Sequence, residues 1–244
     1  MLSEQSICSS ALVKRLERLA KKIRKMIKKE INRTGSFQDD KENSESKIIS
    51  IFPELITSEE IKELDLKWFE GEIIVIDSFK TFRRIIPRLM NSDVLGFDTE
   101  TRPSFKKGRK NKVSLLQLAN SEVACLFRIN RIGIPDELLA ILSDPDVIKA
   151  GVAIHDDIRF LTGIRKFNPE GFIDLQGFVK EYGIQNSGLK KLAAIILGFR
   201  ISKRQQVTDW EAVELSEAQQ IYAATDAWVC HEIFNKLTDN HLSY

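Results

Sequence analysis

Residues 94–101 read VLGFDTET. The first part, VLGFDT at 94–99, is apolar and rich in strand-forming residues, so it predicts a buried strand that delivers FDTET at 97–101 to the strand's end. Side chains two apart in a strand leave on the same face, which sets the carboxylates of Asp98 and Glu100 side by side. Two anions a few ångströms apart repel, and a hard divalent cation such as Mg²⁺ or Mn²⁺ relieves that repulsion. An exposed strand end carrying acids for solubility would give the same pair, so D-x-E alone leaves both readings open.

The flanking sequence extends the strand into an α/β layout. Upstream, Thr57 with Glu60 forms a T-x-x-E capping box for a short helix through Leu64, EIIVID at 72–77 has strand character, and a helix follows over roughly 79–90. Downstream, VSLLQLA at 113–119 and EVACLF at 122–127 flank Asn120-Ser121 and predict a hairpin. After a helix near 135–142, VIKAGVA at 147–153 predicts another buried strand running straight into a helical pattern with Ile154, Ile158 and Leu161. The remainder reads as mostly helical: Leu189–Leu197 as one helix closed by Gly198, then a long final helix opened by the Ser216/Gln219 capping box. The expected architecture is a mixed central β-sheet flanked by helices.

Two further acidic positions fall on helices. In GVAIHDDIRFL at 151–161, about 100° per residue puts Asp157 beside the apolar stripe of Ile154, Ile158 and Leu161, whereas Asp156 points away from it. Asp157 is therefore the site candidate, and Asp156 suits a helix-start acid favoured by the macrodipole. In IYAATDAWVC at 221–230, Tyr222 and Asp226 are four apart and share a face of the last helix. A carboxylate among Ala223, Ala224, Ala227 and Val229 is costly to bury unless paired or metal-bound. An exposed Asp226 and a core Tyr222 are the plainer alternatives.

Composition narrows the partners. The chain's 244 residues, 43% hydrophobic, suffice for one sizeable core. No apolar run approaches the roughly 20 residues of a membrane span. The N-terminus lacks a secretory h-region, so a soluble, intracellular, cytoplasmic protein is expected. Three scattered cysteines give no disulfide or zinc spacing, and three histidines give no zinc motif, which leaves oxygen ligands for any metal and no call for an organic cofactor. Residues 1–33 hold ten Lys or Arg against three Glu, so the other residues carry five net negative charges within a total of +2. Residues 1–47 thus divide into a basic amphipathic helix over 10–32 and a polar linker, RTGSFQDDKENSESK, at 33–47. That helix could grip phosphates or an anionic membrane surface, or remain a solvated tail. The domain proper is expected over 48–244.

The three acidic segments, taken in order, resemble the motifs of the DEDDy-type 3′-5′ exonucleases, whose last motif is Y-x-x-x-D. KAGVAIHDDIRFL and LSEAQQIYAATDAW are similar to the Werner-type branch and KRQQVTDWE at 203–211 to the ribonuclease D-like branch, with Asp156 standing where the Werner-type motif has glycine. The resemblance spans about residues 72–238. It implies a ribonuclease-H-like fold and hydrolysis of nucleic acid from its 3′ end by a two-metal mechanism with Mg²⁺ or Mn²⁺. By the same resemblance Asp98, Glu100, Asp157 and Asp226 are the metal-binding carboxylates, and Tyr222 positions the attacking water.

RPSFKKGRKNK at 102–112, with Arg102, Lys106, Lys107, Arg109, Lys110 and Lys112, reads as a phosphate clamp or as a solvated loop. Lys203 and Arg204, with Trp210 nearby, form a second candidate contact for a single strand, although Trp210 also suits packing. A domain that keeps the fold but only binds nucleic acid, or serves as a scaffold, is the alternative to an enzyme.

Overall fold

The computed structural model of the chain describes residues 52–102 and 113–239. The basic N-terminal helix, the linker, the domain start near Ile48 and most of the basic loop, residues 103–112, lie outside the described residues.

Among the described residues the first element is α1 (Ser58–Glu63), opened by the expected box: Thr57 Oγ1 accepts from Glu60 N at 3.2 Å and Glu60 Oε2 accepts from Thr57 N at 2.7 Å. It continues through β1 (Glu72–Ile76), α2 (Phe79–Met90), β2 (Val94–Thr101), β3 (Val113–Ala119) and β4 (Val123–Phe127). Next come α3 (Ile129–Ile132), α4 (Asp136–Ser143), β5 (Ile148–Gly151), α5 (His155–Ile164), β6 (Phe172–Asp174) and α6 (Leu175–Phe178). A short α7 (Leu189–Leu192) precedes the long α8 (Glu217–Asp239). The strands form one six-stranded sheet in the order β1-β4-β3-β2-β5-β6. β2, β3 and β4 pair antiparallel, whereas β1 on β4, β5 on β2 and β6 on β5 are parallel.

Each face of the sheet carries a helical layer. Leu95 and Phe97 join Phe82, Ile85 and Leu89 of α2, Leu138 and Ile141 of α4 and Leu161 of α5 in one buried cluster. On the other face, Leu115, Ala119, Ala124 and Leu126 meet Ala223, Ala224 and Ala227 of α8, and Ala150 and Ile173 pack with the α7 region and the second half of α8. The small residues let α8 lie close on the strands. At Gly96 an added Cβ would stand 1.8 Å from the Ala227 carbonyl oxygen, so only glycine admits this approach.

Two features differ from the expected layout. The segment Leu189–Leu197 is not uniformly α-helical: it widens into a π-turn over Ala193–Leu197 before Gly198 ends it in the left-handed conformation, φ 74°. β6 is a strand within the stretch expected to be helical, because three residues are too few to display an alternating pattern. Lys149, wholly buried in β5, is satisfied by donating Nζ to the carbonyls of Ile141, Asp144 and Val147 at 2.9, 2.7 and 2.8 Å, which ties β5 to the end of α4.

Candidate active site

β2 and α8 build the centre of the site. Gly96, Asp98 and Glu100 alternate onto the face that α8 covers, and the contact at Gly96 sets α8 one step from Asp98. Oxygen atoms of Asp98, Glu100 and Asp226 lie within 4.8 Å of one another, a grouping able to hold a metal ion. They line a cleft of about 200 Å³ together with Thr99, Val152, Leu189, Ile201, Lys203, Gln206, Tyr222 and Cys230. The register of β2 on β3 slips between Glu100 and Thr101, which pair with Leu115 and Val113 and leave Ser114 of β3 as a bulge.

Burial and mutual repulsion make these carboxyls poor acids. Asp98 is held well above the usual carboxylate range by burial first, then by the charges of Asp226 and Asp157. Burial also pushes Glu100 up to about 10, reinforced by Asp98, Asp226 and Asp157. Asp226 is pushed up to about 7 by burial, and the hydrogen bond from Tyr222 and the ammonium of Lys203 pull against that rise. A cluster that resists ionising in isolation is one that a cation would discharge.

Asp157 lies beside this trio rather than within it. It accepts a hydrogen bond from Thr99 Oγ1 at 2.5 Å, and its carboxyl is raised by burial with that bond acting in opposition. The turn that leads into α5 is held by Asp174, whose Oδ1 accepts from Ala153 N at 3.1 Å and from Gln176 N at 2.9 Å. Ala153 there has φ 58°, an unusual conformation for alanine. Asp156 points outward and pairs with Arg159 at 2.8 Å, in keeping with the helical-wheel distinction between the two acids. Tyr222 is buried against Trp210, its ring 6.0 Å away, and burial followed by the charge of Asp226 raises its hydroxyl above the ordinary phenol range.

The basic candidates divide. Lys203 lines the cleft, whereas Arg204 is exposed and is not among the lining residues. Trp210 is wholly buried, so it packs and offers no face to a strand. Arg102 pairs with Glu211 at 3.2 Å, and Glu211 also accepts from Ser114 Oγ at 3.2 Å, so one carboxylate joins both stems of the basic loop. Lys106, Lys107, Arg109, Lys110 and Lys112 lie outside the described residues.

Sequence reasoning passed over Thr99, Leu189, Ile201 and Gln206 as cleft residues and Gly96 as the contact that seats α8. Thr99 was legible as the residue between two acids. The others depend on which distant segments meet.

The 3′-5′ exonuclease family model matches residues 73–241. The chain is 34% identical over 162 residues to the mouse bifunctional 3′-5′ exonuclease/ATP-dependent helicase WRN, covering 62% of this chain but only 11% of that protein. The structure of Escherichia coli RNase D matches with a TM-score of 0.61 and 25% identity, covering 70% of this chain and 46% of that one. The Aedes aegypti Nibbler EXO domain shares the fold, with a TM-score of 0.63, 23% identity and coverage of 73% and 94%. Among the described residues no helix is long and apolar enough to cross a membrane. With a ribonuclease-H-like sheet carrying an acidic cleft and a family match over most of its length, the chain belongs to the 3′-5′ exonuclease family.

Proposed function

We propose that this chain hydrolyses phosphodiester bonds of nucleic acid from the 3′ end with two divalent cations, Mg²⁺ or Mn²⁺. The observation that carries the reading is the meeting of Asp98, Glu100 and Asp226 within 4.8 Å along an open cleft. The donors suit the cations, being hard carboxylate oxygens with no thiolate or imidazole in the group. Asp98, Glu100 and Asp226, with Asp157 alongside, would hold them. When bound, the ions supply Lewis acidity and neutralise charge on the attacking and departing oxygens.

The side chains account for the rest. With its hydroxyl held above the ordinary phenol range, Tyr222 stays protonated at neutral pH, so it orients the attacking water and does not act as the base. Its proton is committed to Asp226, which leaves an oxygen lone pair to accept from the water. Lys203 offers a positive contact for a phosphate within a cleft that otherwise repels polyanions. Arg102 and the loop bearing Lys106, Lys107, Arg109, Lys110 and Lys112 would position the backbone farther out, with Arg204 at the margin. We assign the activity to residues 48–244 and expect it to survive removal of the basic segment over 1–47.

Incubating end-labelled DNA and RNA strands with Mg²⁺, Mn²⁺ or a chelator tests this reading. A ladder shortening from the 3′ end, abolished by the chelator, is expected. Strands left intact under every metal condition would overturn the proposal and favour a domain that only binds.

A further inference from the structure

Gln117 sits in the middle of β3, wholly buried, and neither Nε2 nor Oε1 has a hydrogen-bond partner among the described residues. Its neighbours on that face are Leu115 and Ala119 along the strand, and Leu126 across it on β4. The α8 alanines cover the same surface. In such surroundings an amide is costly, since it gives up water and gains nothing, and a leucine or methionine would fill the space without that penalty. On β2, however, its cross-strand partner is Asp98. Directly opposed residues in an antiparallel pair share a face and stand side by side, so the amide neighbours the carboxylate one strand in from the cleft that Asp98 lines.

We propose that Gln117 is a positioning residue for Asp98, its amide donating to the carboxylate and fixing which oxygen turns toward a bound cation. The inference rests on the metal-dependent reading above and deepens it. A carboxylate that would hold a cation must keep one orientation while its other contacts change, and a donor in the rigid centre of the sheet supplies that constraint. Nothing else among the described residues engages the amide, which leaves its N–H donors available to Asp98. Placement fits this role: β3 is buried along its whole length, so Gln117 is held by packing on every side.

The test compares the full chain with Gln117→Met, which keeps the volume and removes the amide, and with Leu126→Ala, which loosens the packing on the side away from Asp98. Mn²⁺ binding is followed by the loss of the free-ion electron paramagnetic resonance signal, and thermal midpoints are taken in chelator. For Gln117→Met we expect Mn²⁺ affinity to fall by about tenfold or more while the cation-free midpoint stays level or rises. Where turnover is measurable, kcat should fall with KM for the strand unchanged. Leu126→Ala should lower the midpoint and leave Mn²⁺ affinity alone. Parent-like Mn²⁺ affinity in Gln117→Met, or an equal loss of affinity in Leu126→Ala, overturns the assignment. Binding needs no turnover, so a parent that takes up Mn²⁺ without shortening strands would defeat the proposed function and leave this comparison intact.

Discussion

Two helices each bring an aspartate to the end of β2, and they do so in different ways. α8, 23 residues long, is wedged onto the sheet through Ala223, Ala224 and Ala227, and Asp226 is buried where it meets Asp98 and Glu100. α5, ten residues long, buries only Leu161, and Asp157 is engaged by the Thr99 hydroxyl. The contrast teaches that one half of the acidic site is built into the core, whereas the other half stands at the rim with a replaceable hydrogen bond.

The largest expected effect comes from the acid that both halves face. Asp98→Asn should reduce 3′-end shortening by roughly 10³-fold, about 4 kcal/mol in the barrier, while raising the thermal midpoint of the cation-free protein by removing a buried, repelled carboxyl. A labelled-strand assay together with a melting curve checks both parts. Unchanged turnover would break the comparison at its centre.

Next is the seat of α8. Gly96→Ala would force a Cβ against the Ala227 carbonyl oxygen, a backbone atom that cannot swing aside. Denaturant unfolding should show a loss of about 3 kcal/mol, with turnover falling as Asp226 moves. A parent-like midpoint would mean that α8 is not held by this contact.

The pH dependence sharpens the difference between the halves. Asp98 and Glu100 have folded-state values above their unfolded ones, Glu100 reaching about 10, so the folded chain binds more protons than the unfolded chain between these limits. Stability in chelator should therefore be greatest at acid pH and fall as pH rises from near the ordinary carboxyl value, by about 1.4 kcal/mol per pH unit for each group that ionises only on unfolding. Saturating Mg²⁺ should flatten that slope by discharging the cluster. Melting curves from pH 5 to 9, with and without the ion, measure it.

The smallest effect belongs to the rim. Ala153→Gly should relieve the left-handed backbone before α5 and raise stability by up to about 1 kcal/mol, with little change in turnover. A loss of stability would show that the alanine side chain matters more than its φ.

How much of this was legible depended on how local the signal is. Asp98 and Glu100 could be paired from the period of a strand, and Asp157 separated from Asp156 by the period of a helix. Both capping boxes appeared as expected because they are closed within four residues. The role of Gly96 depends on α8, which lies distant in sequence and meets it only in the folded sheet. Gln117 was one polar letter in VSLLQLA, and its register with Asp98 became visible only once β2 and β3 were paired. The π-turn at Ala193–Leu197 carries no pattern distinct from an apolar helix.

A crystal structure of the chain soaked in Mn²⁺, read by anomalous scattering, tests the central claim most directly. We expect one peak among Asp98, Glu100 and Asp226 and a second beside Asp157, with the Thr99 hydroxyl released from it. Strong Mn²⁺ peaks elsewhere, with this cleft empty at saturating metal, would contradict the account.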